Sequence, residues 1–163
     1  MVQLRDDIEH HIVTWAEVHR DTRSLVRKLL PSSRWNGIVA LTRGGLVPAA
    51  IVARELSIHT VDTLCITTYD EQVQGRLRVL KTPDAALQDG GAGWILVDDL
   101  VDTGTTLQEA KRILPKAHVA TVYAKPKGAA LVDSYVREIA QDVWMFFPWD
   151  TEPQYARPLA DPG

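Results

Sequence analysis

Trp94-Ile95-Leu96-Val97-Asp98-Asp99-Leu100-Val101-Asp102-Thr103-Gly104-Thr105-Thr106 opens on four apolar residues and then sets two carboxylates side by side. It returns to apolar Leu100 and Val101 and closes on small hydroxyl residues around Gly104. The first four residues are too few for a buried helix and read as a strand covered on both faces, broken at Asp98-Asp99. The Thr103 to Thr106 turn then leads into a helix that Pro115 stops. A helix N-terminus exposes unpaired N–H groups and the positive end of its dipole, so a phosphate there meets backbone donors and the hydroxyls of Thr103, Thr105 and Thr106. The paired carboxylates would repel that phosphate and suit sugar hydroxyls and a hard cation instead. The string asks for a ligand that is phosphate at one end and polyhydroxyl in the middle: a sugar phosphate.

The same rhythm extends to both sides. Ile38-Val39-Ala40-Leu41 is another continuous apolar run, ended by Arg43-Gly44-Gly45, and a helix follows from about Val47 to Leu56 with Pro48 in its first turn. Val61 to Thr68 is β-branched and strand-like, and His118 to Tyr123 reads as a further strand. Upstream, Thr14-Trp15-Ala16-Glu17 has the spacing of a capping box. Trp15, Val18, Thr22, Leu25, Val26 and Leu29 then recur at helical spacing until Pro31. Strand and helix alternating in this way give an α/β fold, a parallel sheet flanked by helices, because parallel strands need crossover connections. Ligands then sit beyond the carboxyl ends of the strands.

Two segments leave this rhythm. Residues 69–93 are rich in Asp, Gln, Gly and Arg, with only Leu77, Val79 and Leu80 as an apolar cluster, and read as a mobile loop beside the site. Val143 to Trp149 is aromatic and irregular, and residues 151–163, with Pro153, Pro158 and Pro162, read as a frayed tail.

The chain of 163 residues fits one domain, with 45% hydrophobic and 24% charged residues, which disfavours disordered, collagen-like and disulfide-scaffold classes. Eighteen basic against 21 acidic residues leave a net charge of −3, so an anionic ligand must be drawn by local groups. Nucleic-acid binding is disfavoured for the same reason, since Lys111-Arg112 is the only basic cluster of note. Cys65 is the single cysteine, which precludes an intrachain disulfide; it reads as a small buried hydrophobe in a reducing compartment. The opening Met1 to Asp7 is too acidic for a secretory signal, and no apolar run approaches the roughly 18 residues that span a bilayer.

Three further groups carry chemistry. Arg43 beside Gly44 and Gly45 offers a guanidinium fork and closely approaching N–H groups to a diphosphate. In Lys125-Pro126-Lys127-Gly128, a lysine at a strand end can donate to a carbonyl oxygen; a solvated basic turn is the plain alternative. In the stretch Gln141 to Asp150, Trp144 can present a flat face to a planar base, although aromatic clusters more often form core.

The string Trp94 to Thr106 resembles the phosphoribosyl pyrophosphate signature of the type I phosphoribosyltransferases. With Ile12-Val13-Thr14-Trp15, Arg43 to Pro48, Ala53 to Leu56, Val61-Asp62-Thr63, Val79-Leu80-Lys81, Pro115 to His118, Ala124-Lys125-Pro126 and Pro148-Trp149-Asp150, nearly the whole chain resembles the bacterial xanthine-guanine phosphoribosyltransferases. The resemblance implies the type I phosphoribosyltransferase fold in one domain over 1–163, with a small C-terminal hood over 135–150 and a flexible loop. It implies transfer of a 5-phosphoribosyl group from phosphoribosyl pyrophosphate to guanine, xanthine or hypoxanthine, with Mg2+, in purine salvage. A homotetramer, either cytoplasmic or peripherally associated with the inner face of the cell membrane, is the corresponding cellular expectation.

Carried over position by position, Arg43 and Gly44 look like the diphosphate loop. Asp98 and Asp99 stand near the ribose, with Asp99 toward the metal. Asp98 to Thr106, including Leu100, Val101 and Gly104, form the phosphoribosyl pyrophosphate site, and Asp102 faces N7 of the purine. Lys125 resembles the residue that recognises the 6-oxygen, Trp144 the stacking ring, and Met145 the residue whose carbonyl meets the 2-substituent. The family's loop arginine aligns with Gly75, so the neighbouring Arg76 is its expected substitute.

Overall fold

In the computed structural model, which describes residues 9–69, 76–150 and 160, the described strands are β1 (His10–Ile12), β2 (Gly37–Thr42), β3 (Val61–Tyr69), β4 (Arg76–Lys81), β5 (Trp94–Val101), β6 (His118–Ala124), β7 (Ser134–Glu138) and β8 (Trp144–Phe146). The helices are α1 (Trp15–Leu29), α2 (Leu46–Leu56), α3 (Asp84–Leu87), α4 (Thr105–Ile113) and α5 (Pro126–Ala129). The expectations for the opening segment, for residues 70–75 with Gly75, and for nearly all of the 151–163 tail lie outside the described residues.

Period-two alternation divides the central strands between two cores. Ile38 and Ala40 of β2, Ile95 and Val97 of β5 and Ala120 and Val122 of β6 face the apolar sides of α1 and α2, where Val18, Leu25, Leu29, Ala49 and Val52 are buried. Val39, Leu41, Leu96 and Val119 face the other way, onto Leu107, Ala110 and Leu114 of the α4 segment. Burial on both faces is why these strands read as unbroken apolar runs. α1 begins on the expected capping box: Thr14 Oγ1 accepts the Glu17 N–H at 3.2 Å, and Glu17 Oε2 accepts the Thr14 N–H at 2.8 Å.

The main sheet runs β4-β3-β2-β5-β6-β7, parallel throughout except for the antiparallel edge strand β4. β2 crosses through α2 to β3 on one side, whereas its other neighbour, β5, crosses through α4 to β6 in the opposite direction. The chain turns away from itself between the carboxyl ends of β2 and β5. That divergence opens a crevice there.

Four expectations are corrected. β5 does not break at Asp98-Asp99 but continues to Val101, because pairing with Thr121, Tyr123 and Ala124 of β6 uses only backbone groups. The expected excursion over 69–93 contains β4, paired with β3, and α3, whose Ala86 is fully buried in the second core. The start of 135–150 is strand of the main sheet, since β7 pairs with β6. The aromatic stretch expected to be irregular contains β8, paired in parallel with β1 in a separate two-stranded sheet. Cys65 is half-buried, where the β3–β4 register shifts.

Candidate active site

The crevice between the ends of β2 and β5 has a volume of about 1320 Å³ and is lined by both strand-to-helix turns and by β8 with the residues after it. Its floor depends on glycine. A side chain at Gly45 would run into the carbonyl oxygens of Val97 and Leu41, the latter at 2.7 Å, so the β2–α2 turn tucks under β5 only without a Cβ. At Gly44 a Cβ would stand 2.5 Å from an Asp99 carboxylate oxygen. The Arg43-Gly44 turn and the acidic pair are therefore in contact, and exposed Arg43 stands at the crevice wall.

Asp98 and Asp99 follow each other on β5, and each accepts the N–H of the next residue, at 2.9 Å from Asp99 and 2.7 Å from Leu100. Burial, followed by the neighbouring Asp99 charge, raises the Asp98 carboxyl well above the usual carboxylate range. Burial likewise pushes Asp99 up to about 6, with Asp150 adding to it and the hydrogen bonds from Asp98 and Leu100 opposing it. Among the described residues no lysine, arginine or histidine lies within ion-pair distance of either carboxyl. No cluster of three or more His, Cys, Asp or Glu able to hold a metal occurs among those residues, so an ion here would need oxygens from a ligand as well. Two hard carboxylates completed by ligand oxygens fit the coordination habits of magnesium.

Beyond Val101 the chain leaves the sheet. Gly104 takes φ 88°, a left-handed conformation that turns the loop into α4, and no side chain caps that helix. Thr103 and Thr105 bring their hydroxyls to 3.2 Å of one another at the helix mouth, with Thr106 beside them. Uncapped N–H groups and three hydroxyls converge on the crevice, as anion binding requires.

Lys125, at the end of β6, is almost fully buried, and its Nζ lies 3.1 Å from Asp102 Oδ2, whose side chain is half exposed. It is not a solvated basic turn. Trp144 on β8 leaves 56% of its surface exposed and lines the crevice, while the Met145 side chain is buried beneath it. The structure thus brings together Arg43, Gly44, Asp98 to Thr106, Trp144 and Met145 in one crevice, and ties Lys125 to it through Asp102. It does not bring Arg76 there: that residue is exposed at the start of β4, opposite Tyr69.

Sequence reading missed Phe146, Trp149 and Asp150 as crevice walls. The spacing of Trp144 and Phe146 on one face of a strand was the available signal. It also missed the Gln141 side chain, which donates from Nε2 to Asp102 Oδ1 at 2.7 Å.

A family model of the phosphoribosyl transferase domain matches residues 12–156. The xanthine-guanine phosphoribosyltransferase of Desulfotalea psychrophila is 53% identical over 148 residues, 90% of each chain. That of Chromohalobacter salexigens is 52% identical over 149 residues, 91% of this chain and 89% of its own. The chain belongs to the xanthine-guanine phosphoribosyltransferase family. Among solved structures, the purine phosphoribosyltransferase of Pyrococcus horikoshii superposes with a TM-score of 0.78 at 24% identity, covering 91% of this chain and 99% of that one. The xanthine-guanine-hypoxanthine phosphoribosyltransferase of Helicobacter pylori gives 0.73 at 19% identity, covering 88% and 96%. These two show that the phosphoribosyltransferase fold is shared. No described helix is long and apolar enough to cross a membrane.

Proposed function

We propose that this phosphoribosyltransferase transfers the 5-phosphoribosyl group of phosphoribosyl pyrophosphate to guanine, xanthine or hypoxanthine, giving the nucleoside 5′-monophosphate and diphosphate. The observation that carries the reading is that one crevice joins the Asp98 to Thr106 turn, the Arg43-Gly44 turn and the open face of Trp144. Phosphate, diphosphate and planar base each meet matching chemistry there.

In this reading the 5′-phosphate sits on the α4 N-terminus and the hydroxyls of Thr103, Thr105 and Thr106. The ribose lies along Asp98 and Asp99, with backbone contacts from Leu100 and Val101, and the diphosphate meets Arg43 and the Gly44 N–H. Asp99, with Asp98 as its neighbour on β5, would hold a magnesium ion, which when bound would neutralise charge on the departing diphosphate. The base stacks on Trp144, its 6-oxygen accepts from Lys125, and the carbonyl of Met145 meets its 2-substituent. As the C1–oxygen bond to diphosphate breaks, positive charge gathers on the ribose and N9 of the base attacks C1. Asp102 accepts the proton from N7, so the purine delivers its electron pair without carrying positive charge away. Catalysis is mainly positioning and electrostatic stabilisation.

Asp102→Asn tests the assignment. The amide keeps the shape and cannot take the proton, so kcat falls by about a hundredfold or more while the KM for phosphoribosyl pyrophosphate stays near wild type. Near-normal turnover rejects Asp102 as the base. Competition kinetics among the three purines ranks them. A cytoplasmic homotetramer, checked by sedimentation, completes the reading.

A further inference from the structure

Asp102 is held from two sides, and only one of the two partners has a role so far. Lys125 Nζ reaches Oδ2 at 3.1 Å. On the other oxygen, Gln141 Nε2 donates to Oδ1 at 2.7 Å, from a loop 39 residues further along the chain. The Gln141 carboxamide is itself fixed: its Oε1 accepts the Lys127 N–H at 3.0 Å. A backbone N–H can only donate and a carboxylate can only accept, so the two neighbours leave one orientation for the amide, oxygen toward Lys127 and nitrogen toward Asp102. Gly128 sets the distance between the loops. A Cβ there would stand 2.7 Å from the Asp102 carbonyl oxygen and run into Val101, so the Lys125 to Gly128 turn lies directly on the end of β5.

We infer that Gln141 is a positioning residue for the transferase reaction: it orients the Asp102 carboxylate toward the purine, with the Lys127 N–H acting as the clamp that aims the amide. The inference rests on the reading of Asp102 as the group that takes the N7 proton. A half-exposed carboxylate on a loop after a strand has rotational freedom about χ1 and χ2. With Lys125 alone on Oδ2 it swings about that one anchor. With both oxygens hydrogen-bonded, rotation is blocked and the lone pair left free to take the N7 proton points the same way in every turnover. Gln141 needs no contact with substrate to do this.

Two substitutions separate positioning from simple loop support. Gln141→Glu keeps the acceptor for the Lys127 N–H, and hence the tie between the loops, but replaces the donor on Asp102 by a repelling carboxylate. Gln141→Met keeps the volume and loses both bonds. The expected order of kcat is wild type, then Met, lower by roughly three- to tenfold, then Glu, lower still, with the KM for phosphoribosyl pyrophosphate unchanged in both. Thermal stability follows the opposite order, Glu above Met. If Glu turns over as fast as Met or faster, Gln141 only ties two loops together and the inference is overturned.

A double-substitution cycle with Asp102→Asn separates the inference from its premise. In that background Gln141→Met has little further effect on kcat if it acts through Asp102. If Asp102→Asn alone is impaired and the Gln141 loss adds in full, the positioning role fails while the base assignment stands. If Asp102→Asn is near normal, the premise itself fails.

Discussion

The Lys125 ammonium, about 5% exposed, forms its ion pair with an Asp102 carboxylate that is about half exposed. A buried lysine is tolerated only when paired, and here the paired charge is also the one that faces the crevice. The ammonium therefore links core stability to site geometry. Lys125→Met keeps the volume and removes the charge. It should lower kcat/KM for the purine by about tenfold or more while leaving the KM of phosphoribosyl pyrophosphate near wild type. Lys125→Arg should not rescue it, because a planar guanidinium needs room that this site lacks. Steady-state kinetics with each substrate varied in turn decides both.

Trp144 stands open to solvent although it is a large apolar ring, and a stacked purine is what would cover it. Stacking of a base on an aromatic ring contributes on the order of 1–3 kcal/mol. Trp144→Ala should therefore raise the purine KM by roughly ten- to a hundredfold, and Trp144→Phe should recover most of the loss.

The turn under β5 is the most sterically constrained point of the site. A methyl group at Gly45 meets the carbonyl oxygens of Val97 and Leu41, both of them sheet backbone. Gly45→Ala is expected to cost about 2 kcal/mol or more, seen as a lower urea midpoint with loss of activity. An unchanged midpoint would mean that the β2–α2 turn can move away from β5.

Away from the crevice, Asp21 is buried in α1, where it accepts from Arg20 Nε at 2.8 Å and from the Tyr123 hydroxyl at 2.8 Å, with Arg137 3.8 Å away. Burial alone would raise its pKa, but the hydrogen bonds from Arg20 and Tyr123 and the charges of Arg20 and Arg137 outweigh it and leave the carboxyl below the usual range. A carboxyl depressed in the folded state stabilises fully above its unfolded pKa of about 4 and loses that contribution as pH falls through the folded value. Asp21→Asn should thus lower the urea midpoint at pH 7, and the gap to wild type should close progressively as pH falls below about 4. A gap that stays constant with pH would remove the charge from the explanation.

What the sequence made legible follows from where side chains carry the information. β2, β5 and β6 bury both faces, so their apolar runs were unmistakable, and the Thr14 to Glu17 cap was readable because both partners lie within one turn. β5 beyond Val97 was not, since Asp98 and Asp99 are held in the sheet by backbone bonds to β6 that any side chain permits. β4 hid in plain view: Leu77 and Val79 face inward between Arg76, Arg78 and Leu80, an alternation that the surrounding polar residues obscured. The turn from Asp98 to Thr106 was legible because its chemistry is contiguous. The Lys125–Asp102–Gln141 contacts were not, because they join residues 23 and 39 positions apart and only the fold reveals the meeting.

The wall that carries Trp144 is a strand whose partner, His10–Ile12, comes from the other end of the chain, more than 130 residues away. A nascent polypeptide can assemble the two crossover turns as soon as β6 has formed, yet β1 must wait, unpaired, until almost everything else has been synthesised. Chain order thus lets the two crossover turns assemble early and leaves the Trp144 wall until last. A circular permutant opened between β6 and β7 would reverse that schedule, bringing β8 and β1 together at the outset of translation.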